Sequence, residues 1–184
     1  MSIHARYPLA ALALAALLAG TLLWLERGTA GLALGLAFVS VLVAVTLTDL
    51  ERRVIPNRVL LAGALFGIAI LAPADPGSLP ERAIAAAAAG GFLLLGAVSN
   101  RDGMGMGDVK LAALMGLYLG PAVVPALLVA FGAGALVGLA IIARDGGRAR
   151  NRALPFAPFL ALGGIVGLWA GDSMVDSYLG GLGW

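Results

Sequence analysis

The chain has 184 residues, of which 61% are hydrophobic and 12% charged, and its formal net charge is +2. Soluble domains are about 45–50% apolar and about 25% charged, so this composition excludes an ordinary soluble protein. The lack of Cys and the presence of a single His, His4, exclude disulfides, thiol catalysis, His-based triads and His metal clusters. The small net charge, spread along the chain, predicts no nucleic-acid partner.

Apolar segments follow one another along the whole chain. A helix that crosses the hydrocarbon core of a membrane needs about 20 residues, and most of these segments reach or approach that length. We therefore predict an all-α polytopic membrane helix bundle with about seven transmembrane helices, forming a single domain over residues 1–184. The segments are 8–25, 31–49, 57–72, 82–99, 109–119, 122–143 and 154–171.

The first segment and the glycine content refine this prediction. The run 8–25 is longer than the roughly 7–15 apolar residues of a signal peptide. We therefore expect it to be retained, as an extra N-terminal helix (residues 1–30) in front of a core over residues 31–171. The 27 glycines, several of them spaced four residues apart, as Gly63 and Gly67 are, predict helix backbones that approach closely.

The basic residues predict the orientation in the membrane, because cytoplasmic loops are enriched in Lys and Arg. With seven crossings, all of the 12 Lys and Arg residues except Arg27 and Arg82 fall on one side. We therefore expect a cytoplasmic N-terminus and a C-terminus outside. Asp49 and Asp108 then both lie at the cytoplasmic face, whereas Asp172 and Asp176 are expected in an outer tail.

Asp49 directly follows the apolar run 39–48. A carboxylate at the hydrocarbon edge is costly unless it faces protein or water, which makes Asp49 a candidate functional residue. The alternative is an interfacial residue paired with Arg52 or Arg53, three or four residues further along one helical face.

Asp108 ends the glycine-rich stretch 103–108 and precedes the short fifth segment. As a helix, that segment is about 16 Å long, against a hydrocarbon core of about 30 Å. We therefore expect Asp108 in a water-filled recess below the membrane surface. The alternative is that Asp108 only caps the N-terminus of the helix.

Two neighbouring carboxyl groups can hydrolyse a peptide bond without a metal ion, Ser, Cys or His. At about 5 Å and an effective dielectric of about 20, two carboxylates repel by roughly 3 kcal/mol, so one of them keeps its proton. The charged group takes a proton from water, and the protonated group polarises the scissile carbonyl. Asp49 and Asp108 are therefore the best candidates for a catalytic pair.

Three blocks of sequence resemble the type IV prepilin peptidases, membrane aspartyl proteases of the Gly-x-Gly-Asp type. Residues 48–57 look like the segment with that family's first catalytic Asp, followed by Ile-Pro-Asn. Residues 105–111 look like the second catalytic block. Residues 154–161 are similar to the family's Pro-Phe-Gly-Pro-Phe segment, with Ala157 in place of Gly.

This resemblance implies that Asp49 and Asp108 are the catalytic aspartates and that Gly105, Met106 and Gly107 form the active-site loop. It implies a peptidase of the bacterial inner membrane that serves type IV pili or protein secretion. Such enzymes remove short basic leaders from prepilins or pseudopilins at the cytoplasmic face, just before an apolar helix. The expected partners are therefore the substrate's leader and helix, together with membrane lipid; no oligomeric state is predicted.

The chain also departs from that family. Long members carry a cytoplasmic insertion after the first helix, often with paired cysteines that bind zinc, and this insertion is linked to N-methylation of the new N-terminus. Here residues 26–30 form a short loop and the chain has no Cys. We therefore expect a peptidase-only form without methyltransferase activity, and we expect no metal or other cofactor.

Secondary roles are open at four positions. Lys110 is a candidate contact for the substrate leader or a lipid phosphate, with a lysine that snorkels to the membrane surface as the alternative. Asn57 either orients the first catalytic block or only begins its helix. Pro155 and Pro158 are expected to shape the entrance of a helix.

Two other classes of function remain alternatives. A transporter or channel could use Asp49 and Asp108 as a proton or cation site, because carboxylates within membranes often serve that role. Such a protein predicts acids near the middle of the membrane and inverted repeats, and neither is evident in the sequence. A non-catalytic component of a pilus or secretion machine would tolerate the loss of both acids.

Overall fold

The computed structural model describes residues 28–99, 105–145 and 155–181. Within these ranges the chain is helical apart from short connections and contains no strand, which confirms the predicted all-α class. The α-helices of the described ranges are α1 (Gly28–Arg52), α2 (Asn57–Ala74), α3 (Leu79–Ser99), α4 (Met106–Leu119), α5 (Val123–Asp145) and α6 (Ala157–Gly181).

The helices agree with the apolar segments of the sequence. In the described part of the chain, five helical runs are long and apolar enough to cross a membrane. One run, Met106–Arg144, contains both α4 and α5, which a 3-10 turn at Gly120–Ala122 separates. Gly120 has a φ of +58°, a conformation that favours glycine. At 14 residues, α4 is about 21 Å long, which confirms the predicted short helix.

Other predictions fall outside the described ranges or are wrong. The segment 8–25 lies among residues that the structure does not describe, so seven crossings and the orientation of the termini stay predictions. The predicted segment 154–171 ends too early, because α6 continues to Gly181 and carries Asp172 and Asp176. Both side chains are exposed, so the charges reach solvent without interrupting the backbone hydrogen bonds of the helix.

Small residues allow two pairs of helices to approach closely. A Cβ atom on Gly116 of α4 would lie 2.5 Å from the Cα atom of Ala86 in the antiparallel α3. A Cβ atom on Gly163 of α6 would collide with the carbonyl oxygen of Ala126 in α5. Any larger side chain at these glycines would push the helices apart, so the close packing predicted from the glycine content is confirmed here.

The short helix α4 lies at the centre of the described bundle, packed against α2, α3 and α6. Near its end, the ring of Tyr118 stacks on Phe38 of α1 with centroids 4.9 Å apart. The Tyr118 hydroxyl donates a hydrogen bond to the Gly63 carbonyl of α2 at 2.7 Å. These contacts fix α4 against α1 and α2, and therefore also position Asp108 at its other end.

Candidate active site

Asp49 lies in the last turn of α1 and is only 7% exposed, which makes it the one buried charged residue of the described ranges. Arg52 and Arg53 are exposed, whereas the Asp49 carboxylate accepts a hydrogen bond from the backbone N–H of Ala157 at 3.2 Å. Asp49 is therefore directed into the protein. The alternative of an interfacial ion pair with Arg52 or Arg53 is wrong within the described residues.

Ala157 is the first residue of α6. The first N–H groups of a helix have no partner inside that helix, and Asp49 supplies one for Ala157. The next residue, Pro158, has no N–H to satisfy, and proline is well tolerated in the first turn. The prolines therefore mark a helix entrance, as predicted. The contact with Asp49 could not be read from the sequence, because it joins residues that are 108 positions apart.

Asp108 lies in the first turn of α4, and Gly105 occupies the cap position with φ −74° and ψ 142°. The alternative that Asp108 is the N-cap is therefore wrong. The backbone N–H of Asp108 donates to the Gly105 carbonyl at 3.1 Å, and Oδ2 of Asp108 lies 3.5 Å from where a Cβ atom on Gly105 would be. Its Oδ1 atom is buried and has no hydrogen-bond partner in the described part of the chain.

The structure brings the two candidate acids together. The carboxyl groups of Asp49 and Asp108 are close enough for the charge of one to act on the other. α6 contacts both α1 and α4 and joins them around Gly164. A Cβ atom there would lie 2.9 Å from Leu42 of α1 and 3.5 Å from Met115 of α4. The absence of a side chain at Gly164 thus allows both acid-bearing helices to reach the same face of α6.

The active-site loop predicted from the sequence lies at the start of α4. Gly105 and Met106 are exposed and Gly107 is half-buried. A Cβ atom on Gly107 would lie 2.8 Å from the Cβ atom of Ile55, so only glycine allows the segment after α1 to pack this closely on the Asp108 turn. The segments 48–57 and 105–111, which resemble the two catalytic blocks of the family, are therefore in contact at Ile55 and Gly107. Gly103 and Met104 lie outside the described residues.

Asn57 and Lys110 are brought together on the outside of this region. The Lys110 ammonium donates a hydrogen bond to the Asn57 side-chain oxygen at 2.9 Å, and both side chains are exposed. This bond ties the start of α2 to the second turn of α4. Within the described ranges, no three His, Cys, Asp or Glu side chains are grouped so that they could hold a metal ion.

Comparison with known proteins assigns the chain to a family. Residues 36–142, which include both acids, match the type IV leader peptidase family. The prepilin leader peptidase/N-methyltransferase of Aeromonas hydrophila is 34% identical over 186 residues, covering 96% of this chain and 62% of that protein. The protein of the same name from Burkholderia pseudomallei is 37% identical over 179 residues, covering 92% of this chain and 56% of that protein.

A third relative gives a similar result. The prepilin leader peptidase/N-methyltransferase of Bacillus subtilis is 36% identical over 147 residues, covering 77% of this chain and 57% of that protein. The chain thus spans less than two thirds of the length of these curated relatives. No solved structure gives a significant match. Because the family match covers more than half of its 184 residues, the protein belongs to the type IV leader peptidase family.

Proposed function

We propose that this protein is a membrane aspartyl endopeptidase that removes the short basic leader from prepilins or pseudopilins, with Asp49 and Asp108 as the catalytic pair. The observation that carries the proposal is that these two acids, from separate helices, lie within electrostatic range of each other at one end of the bundle. Membership of the leader peptidase family supports the substrate class. The same membership does not favour the alternative of a proton- or cation-coupled transporter.

The two acids differ in their surroundings, which supports a division of roles. Asp49 accepts the Ala157 N–H at the start of a helix, where the helix dipole also stabilises negative charge. Asp108 has a buried Oδ1 atom without a donor among the described residues, and burial of that kind disfavours the charged form. In our proposal Asp49 is the carboxylate and Asp108 carries the proton.

The reaction follows from that division. Asp49 takes a proton from a water molecule as the water oxygen attacks the scissile carbonyl carbon. Asp108 gives its proton to the carbonyl oxygen, which yields a tetrahedral diol. When the diol collapses, the C–N bond breaks, the amine nitrogen takes the proton from Asp49, and a diol hydroxyl returns its proton to Asp108. The pair thus ends in its starting state, and no metal ion takes part.

Substitution of each acid tests the proposal. We expect Asp49→Asn and Asp108→Asn each to lower leader cleavage at least about 100-fold, because each removes one partner of the proton transfers. The assay is the mass of a prepilin substrate incubated with the purified membrane protein. Asp176→Asn, which changes an exposed acid of α6, is the matched control and should cleave normally. Substantial cleavage by either active-site variant would refute the two-aspartate mechanism.

The proposal also covers the cellular location of the protein and the N-methyltransferase activity that appears in the names of its relatives. The distribution of Lys and Arg supports an active site that faces the cytoplasm from the bacterial inner membrane. We propose that methyltransferase activity is absent, because only five residues, 26–30, separate the first two apolar segments of the sequence and none of them is Cys, so the cysteine-containing insertion is missing at this point. The mass of the cleaved product, measured with a methyl donor present, would then show an unmethylated N-terminus; a methylated product would contradict this part.

A further inference from the structure

A groove of about 720 Å³ opens on the surface of the bundle between α2, α3 and α4. This volume lies within the range of about 300–1,000 Å³ that is typical of small-molecule sites. The body of the groove is aliphatic, and its polar lining residues come from the first two turns of α2 and α4. The lining residues include Asn57, Arg58, Leu61, Ala83, Lys110 and Leu117.

The groove lies on the opposite side of α4 from the candidate active site. Residues two positions apart on a helix are separated by about 200°, so Lys110 faces away from Asp108. The bond between Lys110 and Asn57 holds the ammonium at the rim of the groove. From Lys110 to Leu117 the helix rises about 10 Å, and this length of the groove is lined by aliphatic carbon, including Leu61 of α2.

The rim is positively charged. Lys110 and Arg58 both line the groove, and no acidic residue is found among the described residues that line it. Lys110 uses one of its three N–H donors on Asn57, which leaves two for a ligand. Of the two cations, Arg58 also borders the neighbouring groove between α1 and α2, whereas Lys110 does not. Two cations at the rim of an aliphatic groove are complementary to an amphiphilic molecule with an anionic head group.

We propose that this groove binds an acidic phospholipid, with the phosphate group at Lys110 and Arg58 and an acyl chain along α4 toward Leu117. The basic leader of a substrate does not fit, because the two cations would repel it. The bound lipid bridges the start of α2 and the second turn of α4, next to the helix turn that carries Asp108. The site is separate from the proposed peptidase site, and its test requires no cleavage.

The test measures lipid binding to the purified protein in detergent. Native mass spectrometry compares phosphatidylglycerol, which is anionic, with phosphatidylcholine of the same acyl chains. One cation near a lipid phosphate contributes about 1 kcal/mol, or about a fivefold change in affinity. We therefore expect a preference for phosphatidylglycerol that falls about fivefold in Lys110→Gln, a change that keeps an amide able to bond Asn57. Arg58→Gln should lower it similarly.

Controls separate a specific site from surface charge. Arg52→Gln removes an exposed cation that does not line the groove and should leave the preference unchanged. Ala83→Leu adds bulk at an exposed position inside the groove and should weaken binding of both lipids. The proposal is overturned if the wild type shows no preference, if Arg52→Gln lowers it as much as Lys110→Gln, or if inorganic phosphate alone binds as tightly as the lipid.

Discussion

Substitution of Gly116 tests whether close packing of α3 and α4 positions the site. In Gly116→Ala the new Cβ atom would lie 2.5 Å from the Cα and N atoms of Ala86 and 2.6 Å from the carbonyl carbon of Ala85. An ordinary contact begins at 3.4 Å, so the helices must separate by about 1 Å. All three atoms belong to the backbone, and no side-chain rotation can relieve the overlap.

The magnitude follows from two opposing effects. Overpacking of a core costs about 1–3 kcal/mol, and the contact with rigid backbone favours the upper end of that range. Replacement of Gly by Ala inside a helix stabilises the folded state by up to about 1 kcal/mol through helix propensity. A net loss of about 2 kcal/mol corresponds to a fall in Tm of about 4–8 °C for a chain of this size. The accompanying shift of α4 should also lower leader cleavage, since a misplacement of about 1 Å can cost about 100-fold.

Thermal unfolding of the detergent-purified protein measures the first effect, and cleavage of a prepilin measures the second. Gly91→Ala is the matched control, because Gly91 also lies in a helix but a Cβ atom there would meet nothing within 4 Å. It should raise the Tm by about 2–4 °C, through helix propensity alone. If Gly116→Ala unfolds at or above the wild-type temperature, or if both variants change alike, the packing argument is wrong.

Two further substitutions test individual hydrogen bonds. Ala157→Pro should reduce leader cleavage strongly, because the proline ring replaces the N–H that donates to Asp49. Ala157→Gly keeps that N–H and should retain most of the activity. Equal cleavage rates for the two variants would contradict the role assigned to this hydrogen bond. Tyr118→Phe removes the hydrogen bond to the Gly63 carbonyl and should lower the free energy of unfolding by about 1 kcal/mol. Thermal unfolding measures this effect, and an unchanged Tm would show that the hydrogen bond does not stabilise the bundle.

The sequence predicts the helices of this protein well because the membrane imposes a length and a composition on each of them. The run 57–72 corresponds to Asn57–Ala74, and 82–99 to Leu79–Ser99. The prediction is wrong at the end of α6, where Asp172 and Asp176 interrupt the apolar pattern without interrupting the helix. Hydropathy marks the part of a helix that suits lipid, and a helix can continue into water.

The sequence predicts the candidate site less completely. Charge and spacing single out Asp49 and Asp108 and predict that they lie at one end of the bundle, because the positions of helix ends can be estimated by counting residues along the chain. The rotation of each helix about its own axis cannot be predicted in this way. The donation from Ala157 to Asp49 and the bond between Lys110 and Asn57 both depend on that rotation, and both join residues that are distant in the sequence.

The positions of the two acids on their helices explain why a third helix is needed at the site. Asp49 lies near the C-terminus of α1, where the helix dipole disfavours a carboxylate by about 0.3–1 kcal/mol. Asp108 lies at the N-terminus of α4, where the dipole has the opposite effect. The N-terminus of α6 offsets the penalty at Asp49 with its own dipole and with the Ala157 N–H. With α1 and α4 alone, the helix dipoles would favour the charge on Asp108 instead of Asp49, so the proposed division of roles depends on the N-terminus of α6.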